Sequence, residues 1–161
     1  MGVQPIWWIG LTIVSTTGKI APIRIAADTL GNHSDLLVSP QQRIMLLGWQ
    51  QELLFGELQT LAPAVMLLDG ATITRQRGAL VEYHYMLFDS HEIVFAEGAP
   101  CESFQPGHVG MGSFSDATRA EILELFLQLV DNRVTYGPAA RMSLKAHEVK
   151  LLARDPACAP Q

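Results

Sequence analysis

The sequence predicts a mostly β domain followed by two short C-terminal helices. Up to about residue 107, short runs of Ile, Val, Leu and aromatic residues are separated by Gly, Asn, Asp or Pro, which is typical of strands joined by turns. The stretch Val81–Tyr85 alternates apolar and polar residues, as a half-buried strand does. After Gly107 a Gly-rich stretch leads into apolar residues at helical spacing.

Nine runs in the β part are predicted to be strands. They are Pro5–Val14, Ile20–Ala27, Asp35–Ser39, Arg43–Gly48, Glu52–Phe55, Ala62–Leu68, Ala71–Arg75, Leu80–Phe88 and Glu92–Ala96. Asp69-Gly70 lies between two of them and predicts a hairpin turn, because Asp and Gly accept the positive φ of a primed turn.

The first C-terminal helix is predicted from a capping box and an apolar stripe. Thr118 and Glu121 have the spacing of the capping box, and the helix is expected to end near Asp131. Its apolar stripe consists of Ile122, Leu125, Phe126 and Leu129. The second helix is predicted from Ser143 to Ala153.

The chain has 161 residues, which suits one domain. We expect a β domain over residues 1–107, a helical extension of the same domain over 108–154, and a flexible tail over 155–161. A first strand that starts almost at once suggests that the chain is cut from something longer.

Charge and hydropathy exclude two kinds of partner. The net charge is −5 and there is no block of Lys or Arg, so nucleic acid and anionic membranes are not expected to bind. No apolar stretch is long enough to span a bilayer, and the first residues lack the features of a signal peptide. The default expectation is a cytoplasmic protein.

No metal or cofactor is expected. The five histidines include no pair at the i, i+4 spacing of a helical zinc site, and no Cys-x-x-Cys is present. Of the two cysteines, Cys158 lies in the Pro- and Ala-rich tail, so a fixed disulfide is not expected. Cys101 lies near Glu97 and Glu102, which would raise its pKa, so we expect a small buried residue and not a nucleophile.

His84 and His91 are the candidate acid-base residues, because they flank a strand and turn that also contains Asp89. The alternative is a β-hairpin whose histidines hydrogen-bond to the backbone, and the residues alone favour this alternative. A further possibility is a β module that binds a small molecule or a protein through its Trp-rich first strand, Ile6–Ile9.

Four segments resemble the bacterial hedgehog/intein (Hint) domain family, in the form called Hint type 2. They are "GVQPIWWIG", "APIRIAADTLG", "DLLVSPQQRIMLLGWQQELLFGE" and "DSHEIVFAEGAPCESFQPG". Their order and spacing match the family, and "LKAHEVKLLA" resembles the usual family tail.

The resemblance implies a β-rich self-processing domain. In the family, an N-terminal Cys or Ser attacks the preceding peptide carbonyl and converts the amide into a more labile thioester or ester. A Thr/Ser-x-x-His turn assists, because its hydroxyl and imidazole hold and protonate the scissile amide. A later strand carries an Asp or His and a second His.

The catalytic turn of the family corresponds to Ser39-Pro40-Gln41-Gln42, with Gln42 in place of the histidine. Glutamine can hydrogen-bond a carbonyl but cannot transfer a proton near neutral pH. The strand histidine is expected near Tyr85, where His84 is out of place by one residue, and such a shift turns a side chain to the other face of a strand.

Two further positions complete the comparison. Ala64–Leu68 lacks the Lys and His that the family has there, whereas His91 matches a family histidine. The site residues implied by the resemblance are therefore Ser39, Gln42, His84, Asp89 and His91.

We expect the opening segment of the family, with its Cys, to lie before Gly2, so that the chain is a truncated and degenerate Hint domain without activity of its own. Alternatively, another chain or a host protein supplies that segment and restores activity. Loss of the opening strands is expected to expose a strand edge near Trp7 and Trp8 and to cause self-association.

Overall fold

The computed structural model describes residues 3–15, 21–78, 80–105, 116 and 139–152. The elements, in chain order, are β1 Trp8–Ser15, β2 Ile23–Ile25, β3 Leu36–Val38, β4 Arg43–Leu47, α1 Trp49–Phe55, β5 Gln59–Pro63, a 3₁₀ helix Ala64–Leu67, β6 Ile73–Arg75, β7 Leu80–Leu87, β8 Ile93–Ala96, β9 Ala99–Glu102, β10 Met142–Ser143 and α2 Ala146–Leu152. The fold is therefore mostly β, as the sequence predicts.

The strands of the described residues form three sheets. β1 and β7 make an antiparallel two-stranded ribbon whose register runs from Trp8 opposite Leu87 to Ser15 opposite Leu80. A five-stranded sheet has the order β10-β5-β4-β9-β8, and a three-stranded sheet has the order β3-β2-β6. β10 runs parallel to β5, whereas the other pairs are antiparallel.

The main core lies between the three-stranded and the five-stranded sheets. Branched and small side chains from both sheets fill it, because alternate residues of each strand point to the same face. The buried residues of this cluster are Ile23, Ile25, Val38, Ile44, Ala64, Ile73, Ala99 and Cys101. A second cluster joins α2 to the sheet through Ala62, Leu144, Val149 and Leu152.

The predicted strand Glu52–Phe55 is wrong, since these residues belong to the helix α1. The whole helix, Trp49–Phe55, contains Gln, Glu and Leu, which favour helices, and no β-branched residue. Gly56 ends the helix in the left-handed conformation, with φ 72°, and donates its N–H to the carbonyl of Glu52. In α1 polar side chains are buried and an apolar one is exposed: Gln50 and Gln51 are buried, whereas Leu53 is 73% exposed.

Two other predictions in the β part need correction, and one strand was not predicted. The predicted strand Ala62–Leu68 ends as a strand at Pro63 and continues as the 3₁₀ helix. The turn at Asp69-Gly70 is present, with the Asp69 carboxylate accepting the N–H groups of Ala71 and Ile73, but it forms no hairpin because β6 pairs with β2. β9 was not predicted, because Pro100 argues against a strand.

The predicted second helix, Ser143–Ala153, corresponds to α2 over Ala146–Leu152. The predicted first helix, near residues 118–131, lies outside the described residues, as does Cys158. None of the helices described is long and apolar enough to cross a bilayer.

Candidate functional site

The segment Ser39–Gln42 forms a tight turn that leads directly into β4. Gln42 donates its backbone N–H to the Ser39 carbonyl at 3.0 Å, and Pro40 stands at the second position, where its fixed φ suits a turn. The Ser39 hydroxyl accepts the backbone N–H of Gln41 at 3.4 Å. Gln41 is exposed, whereas Gln42 is partly buried. The two glutamines therefore lie in different surroundings on the same turn.

The 3₁₀ helix holds this turn from one side. Ala64 donates its N–H to the Gln42 carbonyl at 2.8 Å, and Val65 donates to the Pro40 carbonyl at 3.0 Å. The segment in which the resemblance locates a missing Lys and His thus packs against the Ser39–Gln42 turn. On that resemblance Met66 takes the place of the family histidine, and its side chain offers neither a charge nor a proton.

Glu102, at the end of β9, holds the turn from the other side. Its backbone carbonyl accepts the side-chain amide of Gln42 at 2.8 Å. Its carboxylate accepts the backbone N–H of Arg43 at 3.1 Å and forms an ion pair with the Arg43 guanidinium at 3.1 Å. The Gln42 amide is therefore engaged in fixing the turn to β9.

His91 approaches the same carboxylate from the segment that follows β7. Its side chain is fully buried, and its Nε2 lies 3.4 Å from Oε2 of Glu102. Its Nδ1 accepts the backbone N–H of Ala140 at 2.9 Å. A nitrogen that accepts carries no proton, so the neutral ring has its proton on Nε2. One group is thus formed by Gln42, Arg43, His91 and Glu102.

The structure brings Ser39, Gln42 and His91 to this group, but not His84 or Asp89. His84 lies on the β1–β7 ribbon with a side chain that is 60% exposed, and its Nε2 contacts a carboxylate oxygen of Glu82 at 2.8 Å. Tyr85 points to the opposite face and makes an edge contact with Phe104. Asp89 is exposed. Within the described ranges, no hydrogen bond or ion pair joins His84 or Asp89 to Glu102.

Cys101 does not contribute a nucleophile to the group. It is buried in the main core and opposite Ile44 in the sheet. Burial raises its pKa to about 11, and the nearby Glu102 carboxylate also raises it. The thiol is therefore a packing group, as the sequence suggested.

Glu102 was missed as a site residue in the sequence. It was noted only as a charge beside Cys101, because its contacts to Gln42 and Arg43 join residues that are 60 and 59 positions apart in the sequence. A signal was present in the pattern: Glu102 ends an apolar run and occupies the boundary between a buried strand and a loop. No group of three or more His, Cys, Asp or Glu side chains in the described part of the chain is placed to hold a metal ion.

The mostly β architecture, with a tight Ser-x-x-Gln turn and a buried histidine that meet at Glu102, is that of a β-rich domain of the Hint class. The sequence model of the Hint domain family (Hint_2) matches residues 1–108, which is more than half of the chain. The chain belongs to the Hint domain family. No curated protein and no solved structure gave a significant match to it.

Proposed function

We propose that this chain is a Hint-type self-processing module whose catalytic turn positions the scissile segment but does not transfer a proton from position 42. The attacking Cys or Ser would come from the opening segment of the family, placed ahead of Gly2 in the same polypeptide or on a partner chain. In the first step a carbon–sulfur or carbon–oxygen bond forms, the amide carbon–nitrogen bond breaks, and the proton of the nucleophile ends on the departing amine.

The observation that carries this proposal is the engagement of Gln42. Its amide nitrogen donates to the carbonyl of Glu102 at 2.8 Å, so it stabilises the turn. An amide has no ionisable proton near neutral pH, so Gln42 can hold a group but cannot protonate an amine. Loss of general acid-base help commonly costs about 10²- to 10⁴-fold in rate. On this proposal the turn has its hydrogen-bonded shape but no side chain at position 42 that can transfer a proton.

The test is a reporter fusion with restored proton transfer. A Cys-bearing Hint opening segment is fused before Gly2, with a reporter protein ahead of it, and reporter release is followed on gels over hours with and without added thiol. We expect little release with Gln42 in place. Gln42→His should raise the rate by at least about 100-fold, the lower end of the range for general acid-base catalysis.

A matched control is available on the same turn. Gln41→His adds an imidazole one residue earlier, at an exposed position, and should leave the rate of release unchanged. Rapid release with both glutamines unchanged would contradict the proposal, because the turn would then act without an imidazole. Equal rates for the two variants would show that position 42 has no special place in the reaction.

A second candidate function is self-association through the β1–β7 ribbon. Alternate side chains of β1 and the residue before it form one apolar face: Trp7 is 57% exposed, Ile9 62%, Leu11 56% and Ile13 60%. Among the described strands β1 pairs only with β7, and a two-stranded ribbon is marginally stable without further packing. A second copy of this chain would extend the ribbon and cover the apolar face.

Sedimentation velocity tests this candidate. The mean sedimentation coefficient should increase with concentration, and Leu11→Lys should suppress the increase. Leu53→Lys is the matched control, because it places the same charge at an exposed leucine of α1. A coefficient that stays constant from micromolar to near-millimolar concentration would eliminate the candidate.

A further inference from the structure

We propose that Glu102 is the positioning residue of the site: one carboxylate fixes the catalytic turn through Arg43 and keeps the exchangeable proton of His91 on Nε2. This inference rests on the proposed function for its role in processing. The geometry itself can be tested in the chain alone.

The first step concerns the turn. The Glu102 side chain is only 10% exposed, and its two oxygens reach the backbone N–H and the guanidinium of Arg43. A carboxylate removed from water requires such partners, because an unpaired buried charge is costly. Arg43 directly follows Gln42, so the carboxylate determines where the turn ends and β4 begins. The backbone carbonyl of Glu102 then holds the Gln42 side chain.

The second step concerns His91. The Ala140 N–H donates a hydrogen bond to Nδ1, so the proton of the neutral ring must be on Nε2. Apart from the Glu102 carboxylate at 3.4 Å, Nε2 has no partner within the part of the chain that is described. The contact is long and poorly aligned for a hydrogen bond, yet a negative charge at this distance in a buried place attracts the N–H dipole. The carboxylate therefore stabilises the Nε2–H tautomer.

The third step joins the two. A proton added at Nδ1 would place two hydrogen-bond donors, Nδ1–H and the Ala140 N–H, against each other. His91 can therefore exchange a proton only through Nε2 while the hydrogen bond to Ala140 remains. Glu102 lies beside that nitrogen and also anchors the turn that lost its histidine. His91 reaches the turn only through the Glu102 carboxylate, which orients its ring.

The direct test is nitrogen-15 spectroscopy of the histidine rings. In the unmodified chain at neutral pH, His91 should show a protonated Nε2 and an unprotonated Nδ1. His33 and His84, with side chains 72% and 60% exposed, serve as internal references for histidines in contact with water. A proton found on Nδ1 of His91 would overturn the inference without any variant.

Glu102→Gln keeps the shape of the side chain and removes its charge. The Nε2–H signal of His91 should shift and its proton should exchange faster with water. Glu97→Gln is the matched control, because Glu97 pairs with His33 at 3.1 Å in an exposed position, and it should affect only His33. Unchanged His91 signals in folded Glu102→Gln would refute the positioning role. If that variant does not fold, Glu102→Asp, which keeps the charge and draws it back from Nε2, should shift the same signal, and an unchanged signal there would refute the role.

Activity supplies the second readout. In the reporter fusion that carries Gln42→His, Glu102→Gln should slow release by about 10- to 100-fold, by analogy with groups that orient metal-binding histidines. Glu97→Gln should leave release unchanged. If the Gln42→His fusion releases no reporter at all, the proposed function fails, whereas the spectra still decide the place of Glu102.

Discussion

Gly10 lies beneath the indole of Trp8, and its replacement should expose how the ribbon is packed. A Cβ added at Gly10 would overlap three carbons of the Trp8 ring. Trp8 is only 7% exposed, so its ring occupies a well-defined place on the inner face of the ribbon. We expect Gly10→Ala to force this ring aside and to lower the free energy of unfolding.

The magnitude follows from two opposing effects. Alanine in a strand is normally favoured over glycine by about 0.5–1 kcal/mol, because it has less conformational entropy to lose. Forcing an extra carbon into a packed region typically costs about 1–3 kcal/mol. The net effect is a loss of up to about 2.5 kcal/mol, which for a chain of this size lowers the melting temperature by up to about 10 °C.

Urea denaturation followed by circular dichroism measures the loss, and tryptophan emission reports the displacement. Trp7 and Trp49 are both 57% exposed, so buried Trp8 should contribute the shortest-wavelength emission, and Gly10→Ala should shift the spectrum to the red. In a Trp8→Ala background the same change at Gly10 should be neutral or stabilising. A stabilising effect of Gly10→Ala in the unmodified chain would refute the packing of Trp8 over Gly10.

Two further predictions concern buried titratable groups. The pKa of Cys101 is raised to about 11 by burial, so the folded state holds the thiol proton more tightly than the unfolded state; stability should fall as pH rises from about 9 to about 11. Between pH 8 and pH 10.5, the free energy of unfolding measured in urea titrations should fall by about 1–2 kcal/mol more in the unmodified chain than in Cys101→Ala. Parallel curves of this free energy against pH would contradict the prediction. The Tyr83 hydroxyl is buried and has no hydrogen-bond partner in the described structure, so Tyr83→Phe should raise the free energy of unfolding by about 1 kcal/mol. A loss of stability in that variant would show that the hydroxyl has a partner.

The strands were largely predictable because their signals are local. Arg43–Gly48 and Leu80–Phe88 are apolar runs with β-branched or aromatic residues and clear turns at their ends, and the structure places β4 and β7 there. Glu52–Phe55 misled the prediction because a short apolar run does not distinguish a strand from a helix. The exposure of Leu53 in α1 depends on the rest of the fold and could not be predicted from the segment.

The candidate site was predictable only in part. The resemblance indicated Ser39 and Gln42, and His91 was indicated both by its place beside Asp89 and by the resemblance, whereas Glu102 and the Ala140 N–H were not identified. The hydrogen bond of Ala140 comes from a backbone group, and any residue other than proline could donate it. The sequence therefore carries no sign of the tautomer of His91, although the fold determines it.

On the proposed function, the positions of His84 and Gln42 explain why no neighbouring side chain would replace an imidazole at the turn. His84 is one residue from the expected position, and in the β1–β7 ribbon one residue is enough to turn its side chain outward, opposite Leu11. Gln42 stands in the turn itself, but its amide is bound to Glu102. We expect a histidine introduced at 42 to contact the Glu102 carbonyl with one ring nitrogen and to leave the other for a substrate amide. On the proposed function, the turn then has the shape that proton transfer requires, and the side chain at position 42 limits the rate.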